Sequence, residues 1–206
     1  MKLGIIKAAS SFGRFVANEA LDRGFEVSAI GDSRSDLPEG WPLVDVDVLE
    51  LSAADVASFD VVVDCSEFRA GQGELAVSQM KHLVKIFADS DCRLMVVGSG
   101  VNLFADDSRK QKVADFLPAM KEQSNLLGRA FEVLQGSSGF DWTYVAPPFH
   151  FEISGPATGT YRTGSDFVIV DQKGAAAISF ADMATALVDE IENRQFLNSM
   201  FTATYR

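Results

Sequence analysis

The sequence is poor in the residues that build metal centres, disulfide scaffolds and nucleophilic active sites. It contains two cysteines, Cys65 and Cys92, and two histidines, His82 and His150. The cysteines lack the C-x-x-C spacing of zinc and redox sites, and neither histidine neighbours a motif typical of a catalytic nucleophile. We therefore expect no metal site and no disulfide framework, and we assign no catalytic residue from the sequence.

Positive charge and long apolar runs are also scarce. The chain has 18 Lys and Arg against 29 Asp and Glu, which gives a net charge of −11. Nucleic acids and anionic membranes would be repelled at long range, so we expect neither as a partner. No apolar run has the length of a signal peptide or a membrane-spanning helix, and we expect a cytoplasmic protein.

What the sequence does contain is enough apolar residues for one large core. Hydrophobic residues make up 47% of the 206 residues, and 16 of them are Phe. This length suits a single domain, residues 1–206. Short apolar runs predict buried strands at residues 3–6, 27–30, 43–48, 61–64, 94–97 and 142–146. Helical patterns lie between most of them, at residues 12–23, 53–57, 73–88 and 113–135.

Strands that alternate with helices predict an α/β fold with a doubly wound parallel sheet of the Rossmann type. Residues 1–148 would form the sheet core, and residues 149–206 a small C-terminal α/β lobe on the substrate side. In that lobe we expect short strands or a hairpin at residues 160–162 and 167–171, a helix at 181–192 and a last strand at 201–205. Ligands of such sheets bind at the carboxyl ends of the strands.

The first strand is followed by a turn of small residues and then by a helix that begins near Phe12 and Gly13. In dinucleotide-binding folds this turn and the helix N-terminus hold a pyrophosphate, and three glycines shape the turn. The three glycine positions hold Lys7, Ser10 and Gly13. Lys7 and Ser10 could bind phosphate or occupy its space, and a serine could simply cap the helix.

The ends of the second and third strands carry acidic residues. Asp32 lies about 20 residues beyond the turn, where a carboxylate accepts hydrogen bonds from the adenosine ribose and favours NAD. Ser33 and Arg34 favour NADP, because Arg pairs with its 2′-phosphate. A polar turn without a ligand would explain the same residues. Asp47 could contact an adenine amino group or lie at a solvated edge.

With these residues in view, the chain resembles the atypical short-chain dehydrogenase/reductases, and in particular the small NAD(P)-binding proteins described as NADH-flavin reductases. The resemblance runs nearly end to end. It rests on residues 2–13 and 21–30, on Phe59-Asp-Val-Val-Val-Asp64, on residues 93–104, on Asp141-Trp-Thr-Tyr-Val-Ala-Pro-Pro-Phe149, and on residues 159–162 and 178–184. It implies a Rossmann sheet, a bound NAD or NADP, and a flat small-molecule acceptor such as free flavin.

The resemblance also implies positions for the ligands. The phosphate turn would span residues 7–13, with Ala9, Ser11 and Phe12 beside the three glycine positions. Asp32, Ser33 and Arg34 would lie at the ribose. The remaining contacts would be Asp47 and Val48 near adenine, Cys65, Ser66, Gly98 and Ser99 along the middle of the cofactor, and Phe149 and His150 by the acceptor. A loop histidine such as His150 is also commonly structural.

One departure from the family concerns proton transfer. The Tyr-x-x-x-Lys pair of typical members is absent, and Met120 and Ser124 stand at that spacing. Hydride delivery to a flavin needs mainly juxtaposition, so flavin reduction remains compatible with the sequence. We therefore carry two hypotheses: an NAD(P)H-dependent oxidoreductase with a flavin or quinone-like acceptor, and a non-catalytic sensor or regulatory binding protein. The sequence assigns no oligomeric state.

Overall fold

The structure is a computed structural model that describes residues 1–69, 71–118 and 121–206. In these ranges the strands are β1 (Lys2–Ile6), β2 (Glu26–Ile30), β3 (Leu43–Val44), β4 (Val61–Asp64), β5 (Arg93–Val97), β6 (Trp142–Val145), β7 (His150–Glu152), β8 (Tyr161–Gly164), β9 (Ala177–Ser179) and β10 (Ser199–Tyr205). The α-helices are α1 (Gly13–Asp22), α2 (Ala53–Val56), α3 (Gly73–Phe87), α4 (Lys121–Gln135) and α5 (Phe180–Asn193).

Eight of the strands form one sheet in the order β3-β2-β1-β4-β5-β6-β10-β8. Every neighbouring pair is parallel except β10 with β8. The chain leaves β1 towards one edge and returns at β4 to build the other half, so a topological switch point lies between β1 and β4. The predicted doubly wound, Rossmann-type sheet is confirmed. Ligands of such sheets bind in the crevice at the switch point.

Two hydrophobic layers cover the faces of this sheet. Successive residues of a strand point to opposite faces, and β1 shows this alternation. Ile5 packs in the layer that contains α1 and α5, whereas Ile6 packs in the layer that contains α3 and α4. Because both faces are covered, the central strands are mainly apolar, and the strand ends are where ligands can bind.

Two predicted elements differ from the structure because of local turns. The helix expected over residues 113–135 is a short 3-10 helix, Val113–Phe116, followed by α4. Pro118 disfavours a helical conformation at Leu117, whose φ and ψ are −119° and 62°. The third strand, expected over residues 43–48, ends at Val44, because the Val46 N–H turns back to the Val44 carbonyl oxygen at 3.1 Å.

The strand expected over residues 167–171 is also absent from the described part of the chain. Phe167 makes only an isolated bridge to Phe104. Beyond it, Asp171 closes a turn, because its amide and carboxylate both bond the backbone of Ala175. Residues 149–206 instead add β8 and β10 to the main sheet and place α5 beside α1, while β7 and β9 pair in a separate two-stranded sheet.

A buried ion pair ties α5 to the centre of the sheet. Arg93 in β5 is 1% exposed, and its guanidinium contacts the Glu190 carboxylate of α5, which is also buried. The same guanidinium donates to the Glu190 carbonyl oxygen at 3.0 Å and to the Thr143 hydroxyl of β6 at 2.5 Å. Among the helices in the described ranges, none combines the length and the apolar composition needed to cross a membrane.

Candidate functional site

The turn between β1 and α1 lies at the switch point and keeps the space above it open. Lys7 has a φ of 58°, a left-handed conformation that favours glycine. Its ammonium group donates to the Gly31 carbonyl oxygen at the end of β2. The Lys7 side chain is therefore bonded to the neighbouring strand, and its charge lies at the edge of the turn.

Ser10 and Gly13 hold the turn against the sheet. The Ser10 hydroxyl donates to the Cys65 carbonyl oxygen at 3.1 Å and accepts from the Gly13 N–H at 3.1 Å. A Cβ at Gly13 would lie 2.4 Å from the Lys7 carbonyl oxygen and 2.8 Å from the Ser10 hydroxyl oxygen. Gly13 therefore has the role of the third glycine, which allows close packing of helix and strand. Ser10 stands at the second glycine position, and its side chain stabilises the turn through these two hydrogen bonds.

A cavity of about 390 Å³ lies over this turn. Its volume is within the range of small-molecule sites, and the bonded side chains of Lys7 and Ser10 leave it open. The space that a diphosphate needs is thus present, and the residues fit such a group in shape. The lining residues come from the turn, the end of β2, the segment after β4 and the region of α3: Lys7, Ala9, Ser10, Arg14, Asp32, Ser33, Asp36, Ser66, Glu67, Phe68, Gln72, Leu75 and Gln79.

Two carboxylates accept hydrogen bonds from N–H groups of the turn. Asp32 accepts from the N–H groups of Ala8 at 2.8 Å and Ala9 at 3.1 Å. Glu67 accepts from the Ser11 N–H at 3.1 Å. Burial raises the pKa of Asp32 above its ordinary value, although these N–H groups and Lys7 act in the opposite direction. A ligand anion that approaches the α1 N-terminus must therefore replace or share the Glu67 contact.

A larger cavity of about 700 Å³ lies at the carboxyl ends of β4 and β5, between α3 and α4. Its lining residues are Asp64, Ser66, Glu67, Phe68, Gly71, Glu74, Ala76, Gln79, Met80, Val96, Val97, Gly98, Ser99, Glu122, Gln123, Leu126, Leu127, Ala130 and Tyr144. Ser66, Glu67, Phe68 and Gln79 also line the cavity over the turn, so the two cavities adjoin. The site thus extends from the switch point towards β6.

The side chains at the end of β4 form one hydrogen-bonded group. Asp64 accepts from the Ser66 N–H at 3.0 Å and from the Gln79 side-chain amide at 2.9 Å. The same amide donates to the Ser66 hydroxyl at 2.8 Å. Burial raises the pKa of Asp64, against the effect of these bonds and of Lys7. Burial also raises the pKa of the Cys65 thiol, so that thiol is protonated and unreactive at neutral pH.

A third cavity, of about 230 Å³, adjoins the second at Ser99. It is mainly apolar, and its walls are Ser99, Gly100, Val101, Leu103, Val113, Leu117, Pro147, Pro148, Phe149, Val168, Ile169, Ala176 and Thr202. The three cavities together follow the carboxyl ends of β2, β1, β4, β5 and β6. This is the path along which an extended ligand would lie across the rim of the sheet.

Tyr144 brings a hydroxyl group to the end of β5. That hydroxyl accepts from the Ser99 N–H at 2.8 Å and from the Asn102 side-chain amide at 2.7 Å. A Cβ at Gly98 would lie 2.0 Å from the Tyr144 hydroxyl oxygen, so only glycine leaves room for it. Burial raises the pKa of Tyr144 to about 12. At neutral pH the hydroxyl therefore keeps its hydrogen.

The structure brings most of the residues predicted from the sequence to this rim. Those that line a cavity are Lys7, Ala9, Ser10, Asp32, Ser33, Ser66, Gly98, Ser99 and Phe149. Ser11 and Gly13 belong to the turn through their N–H groups. These assignments stay predictions, because a cavity wall does not identify its ligand.

The other predicted residues reach the rim less directly. The Phe12 ring packs against Phe151 and Phe180, so only the Phe12 backbone faces the turn. Val48 and the Cys65 side chain are buried in the core. Arg34 bonds the Trp41 carbonyl oxygen, Asp47 caps its own turn at Leu49, and His150 is an exposed residue of β7. Met120 lies outside the described residues, and Ser124 is buried.

Sequence reasoning missed the residues Arg14, Glu67, Gln79 and Tyr144, all of which line a cavity. Arg14 follows Gly13 directly, and its guanidinium bonds the Ala9 and Asp36 carbonyl oxygens. It is the cation next to the turn that an acidic protein needs for an anionic ligand. Its place one residue into the helix was a usable signal, whereas Glu67 is brought to Ser11 only by folding.

A family model described as NAD(P)H-binding matches residues 8–194 of this chain. The chain belongs to this NAD(P)H-binding family. The match covers α1, α5 and all residues that line the three cavities except Lys7 and Thr202. It supports binding of NAD or NADP, and the resemblance to atypical short-chain dehydrogenase/reductases is confirmed.

Individual proteins are similar over the whole chain. The Bacillus subtilis protein YwnB is 36% identical over 211 residues, which cover 98% of this chain and 97% of YwnB. A Streptococcus pneumoniae protein, named as a candidate NADH-flavin reductase, has a TM-score of 0.92 and 26% identity, with 100% of both chains covered. A Burkholderia pseudomallei protein, named as a candidate exported protein, has a TM-score of 0.86 and 29% identity, again with 100% of both chains covered.

Proposed function

We propose that this protein is an NADH-dependent oxidoreductase that reduces a flavin or a quinone-like ring. The observation that carries the proposal is the series of adjoining cavities from the switch point to Ser99 and the apolar pocket beside it. A dinucleotide whose diphosphate lies over the turn would extend into the 700 Å³ cavity towards Ser99, and its nicotinamide half would share that cavity with the acceptor ring. The Streptococcus pneumoniae protein of similar structure supports the reductase class through its name.

The residues of this chain would bind and orient both ligands. The N–H groups at the start of α1, with Arg14, would hold the diphosphate, and Asp32 with Ser33 would lie at the adenosine ribose. Ser66, Gly98 and Ser99 would lie along the nicotinamide half. When bound, NADH supplies a hydride to the acceptor. The protein contributes position and exclusion of water, because hydride transfer to a flat ring requires close approach of the two rings.

NADH fits the adenosine end better than NADPH. Asp32 and Asp36 both line the cavity over the turn, and their carboxylates would repel a 2′-phosphate. Arg34, the residue expected to bind that phosphate, donates to the Trp41 carbonyl oxygen and lines none of the three cavities. We therefore expect NADH to bind at least about 10-fold more tightly than NADPH, a difference of about 1.4 kcal/mol.

The test of the proposed function is a titration followed by turnover. NADH at 100 times its dissociation constant should stabilise the protein by about 2.7 kcal/mol, measured as a rise in melting temperature. Added free riboflavin should then oxidise NADH, followed by the loss of NADH absorbance. The absence of any thermal shift with millimolar NADH and NADPH would remove the proposal.

The Glu67→Gln variant should bind NADH more tightly. The Glu67 carboxylate accepts from the Ser11 N–H, where the cofactor's diphosphate would bind, so it competes with the diphosphate and repels it. Glutamine keeps the shape and removes the charge. We expect the dissociation constant to fall about 10-fold or more, because a hydrogen bond to a charged group is worth about 1.5 kcal/mol or more. Fluorescence titration with NADH measures this change.

Glu132→Gln is the matched control for that variant. Glu132 is exposed on α4 and lines none of the three cavities, yet its substitution changes the net charge by the same amount. It should leave the dissociation constant unchanged. Weaker NADH binding by Glu67→Gln would show that this carboxylate is a ligand, for example to ribose hydroxyls, and not a competitor.

A specific observation also favours a second candidate, a non-catalytic sensor or regulatory binding protein. Asp32 and Glu67 accept hydrogen bonds from three N–H groups of the turn, so the protein itself satisfies donors that a catalytic site would offer to the diphosphate. The turnover measurement separates the two candidates. A sensor binds NADH without oxidising it in the presence of riboflavin or a quinone, whereas the oxidoreductase consumes it.

The proposal includes the surroundings in which the protein works. We place it in the cytoplasm, where NADH is available and where the free thiols of Cys65 and Cys92 would stay reduced. Its partner is a small-molecule acceptor. A net charge of −11 disfavours nucleic acid and anionic membranes as partners. Within the described ranges, no group of three potential metal ligands comes together.

A further inference from the structure

The Tyr144 hydroxyl accepts hydrogen bonds from the fold but donates none to the residues that the structure describes. A phenol oxygen accepts hydrogen bonds and donates one. The Ser99 N–H and the Asn102 amide nitrogen supply hydrogen bonds to that oxygen. The Asn102 amide nitrogen also faces the Leu127 carbonyl oxygen at 3.5 Å, a long contact that favours the nitrogen on this side of the amide. No acceptor for the Tyr144 hydrogen is found among the residues that the structure describes.

The position of this donor is set by its surroundings. Tyr144 is 3% exposed, its ring packs against Phe131 with a centroid distance of 4.6 Å, and its hydroxyl lies directly beside Gly98. Both Tyr144 and Gly98 line the 700 Å³ cavity. The hydroxyl therefore presents a fixed O–H donor where the sheet ends, next to Ser99, the residue that the second and third cavities share.

The rest of the cavity wall indicates the charge of the ligand. Leu126, Leu127 and Met80 give it an apolar wall, while Glu67, Glu74 and Glu122 make its rim acidic. The described residues that line this cavity include no Lys, Arg or His. A phosphorylated acceptor would be repelled here, whereas an uncharged flat ring would bury apolar surface without that penalty.

We propose that the Tyr144 O–H group binds a carbonyl oxygen of an uncharged, planar acceptor, such as riboflavin or a naphthoquinone, in the 700 Å³ cavity. This inference rests on the proposed oxidoreductase function and names the acceptor class and the residue that contacts it. The hydroxyl stabilises the negative charge that reaches this oxygen as the acceptor is reduced. Donors fixed in advance at such an oxygen make large contributions to rate.

The reaction balances with NADH as the reductant. The acceptor receives one hydrogen with two electrons, so a C–H bond of the cofactor breaks and a bond between that hydrogen and the acceptor ring forms. NADH is oxidised to NAD⁺, and the acceptor gains one negative charge. A proton from solvent neutralises that charge, which gives NADH + acceptor + H⁺ → NAD⁺ + dihydro-acceptor. Tyr144 keeps its own hydrogen throughout and acts as a hydrogen-bond donor.

Two of the three tyrosines of the sequence provide the test and its control. In Tyr144→Phe the ring remains against Phe131 and the hydroxyl is lost. We expect kcat for riboflavin reduction to fall about 100-fold, while the dissociation constant of NADH stays unchanged. The matched control is Tyr205→Phe, because the buried Tyr205 hydroxyl has no partner in the described part of the chain and lines none of the cavities. This control should keep the wild-type kcat.

Paired acceptors test the charge of the ligand. Riboflavin and FMN share one ring system and differ in a phosphate, so wild type should have a kcat/KM at least about 10-fold higher for riboflavin. Equal kcat in Tyr144→Phe and wild type would overturn the role of the hydroxyl. A preference for FMN would overturn the uncharged acceptor. Both results would leave the oxidoreductase function intact, since wild type would still oxidise NADH.

A second variant is used if Tyr144→Phe does not fold. In Asn102→Asp, a carboxylate beside Tyr144 accepts the hydroxyl hydrogen, so kcat should fall by the same factor. An unchanged kcat in Asn102→Asp would overturn the inference.

Riboflavin binding is measured if wild type binds NADH but reduces no acceptor. In that case the proposed function fails, and fluorescence quenching by riboflavin tests the contact with Tyr144. Weaker riboflavin binding by Tyr144→Phe supports the contact, and equal or absent binding by wild type and variant overturns it.

Discussion

Replacing Arg93 by methionine is expected to lower the free energy of unfolding by about 3–5 kcal/mol. The change leaves the Glu190 carboxylate, which is buried in α5, without its cationic partner. It also removes the hydrogen bonds from Arg93 to the Glu190 carbonyl oxygen and to the Thr143 hydroxyl. For a chain of this size the melting temperature should fall by about 10 °C, measured by thermal unfolding with a urea titration beside it.

Two further variants test whether the loss of stability comes from the unpaired buried charge. Adding Glu190→Gln to Arg93→Met removes the stranded charge, while its amide oxygen can still accept from the N–H groups of Gln195 or Phe196, so part of the stability should return. Arg129→Met is the surface control, because Arg129 is 52% exposed in its pair with Glu74. It should cost less than about 1 kcal/mol. An equal loss from Arg93→Met and Arg129→Met would contradict the role given to the buried pair.

The second large effect is expected from Gly13→Ala. The new methyl group would lie 2.4 Å from the Lys7 carbonyl oxygen, a backbone atom that cannot rotate away. The start of α1 must then move from the turn, which withdraws the N–H groups proposed to hold the diphosphate. Loss of two hydrogen bonds to a charged group should weaken NADH binding about 100-fold. Overpacking should also lower the free energy of unfolding by about 1–3 kcal/mol.

Gly128→Ala is the control for that variant, since Gly128 also lies in a helix. A Cβ there meets only the Asn102 side-chain oxygen at 3.7 Å, an ordinary contact. Alanine in a helix interior should raise stability by about 0.5–1 kcal/mol and leave NADH binding unchanged. Isothermal titration of both variants measures the difference in NADH affinity. Wild-type affinity in Gly13→Ala would mean that cofactor does not bind at this turn.

The fold was predictable because its strongest signals are local. The central strands are buried on both faces, so β1 and β4 are continuous apolar runs that any reading by hydrophobic pattern detects. The predicted bounds of an element were wrong where one hydrogen bond or one proline ends it. Val46 turning back to Val44 shortens β3, and Pro118 separates the 3-10 helix from α4. Such turns depend on one or two residues, and an apolar pattern does not record them.

The candidate site was predictable as a place and less so as a set of contacts. Parallel strands bring their carboxyl ends to one rim, so Lys7, Ser66 and Ser99 could be placed there from order alone. The contacts that matter most cross long stretches of chain: Glu67 reaches Ser11, and Tyr144 reaches Ser99. Tyr144 lies in an apolar strand and reads as core, because its sequence neighbours give no sign that its hydroxyl passes Gly98.

The position of β10 has a consequence for how the chain becomes ordered during synthesis. β8 pairs in the main sheet with β10 alone, and β10 also fills the place beside β6. Residues 161–164 (β8) therefore leave the ribosome before β10, the strand with which they pair. They have no strand partner in the main sheet until residues 199–205 follow. Strands β1 to β6 can pair while translation continues, but the edge formed by β10 and β8 is completed only after residues 199–205 have been synthesised.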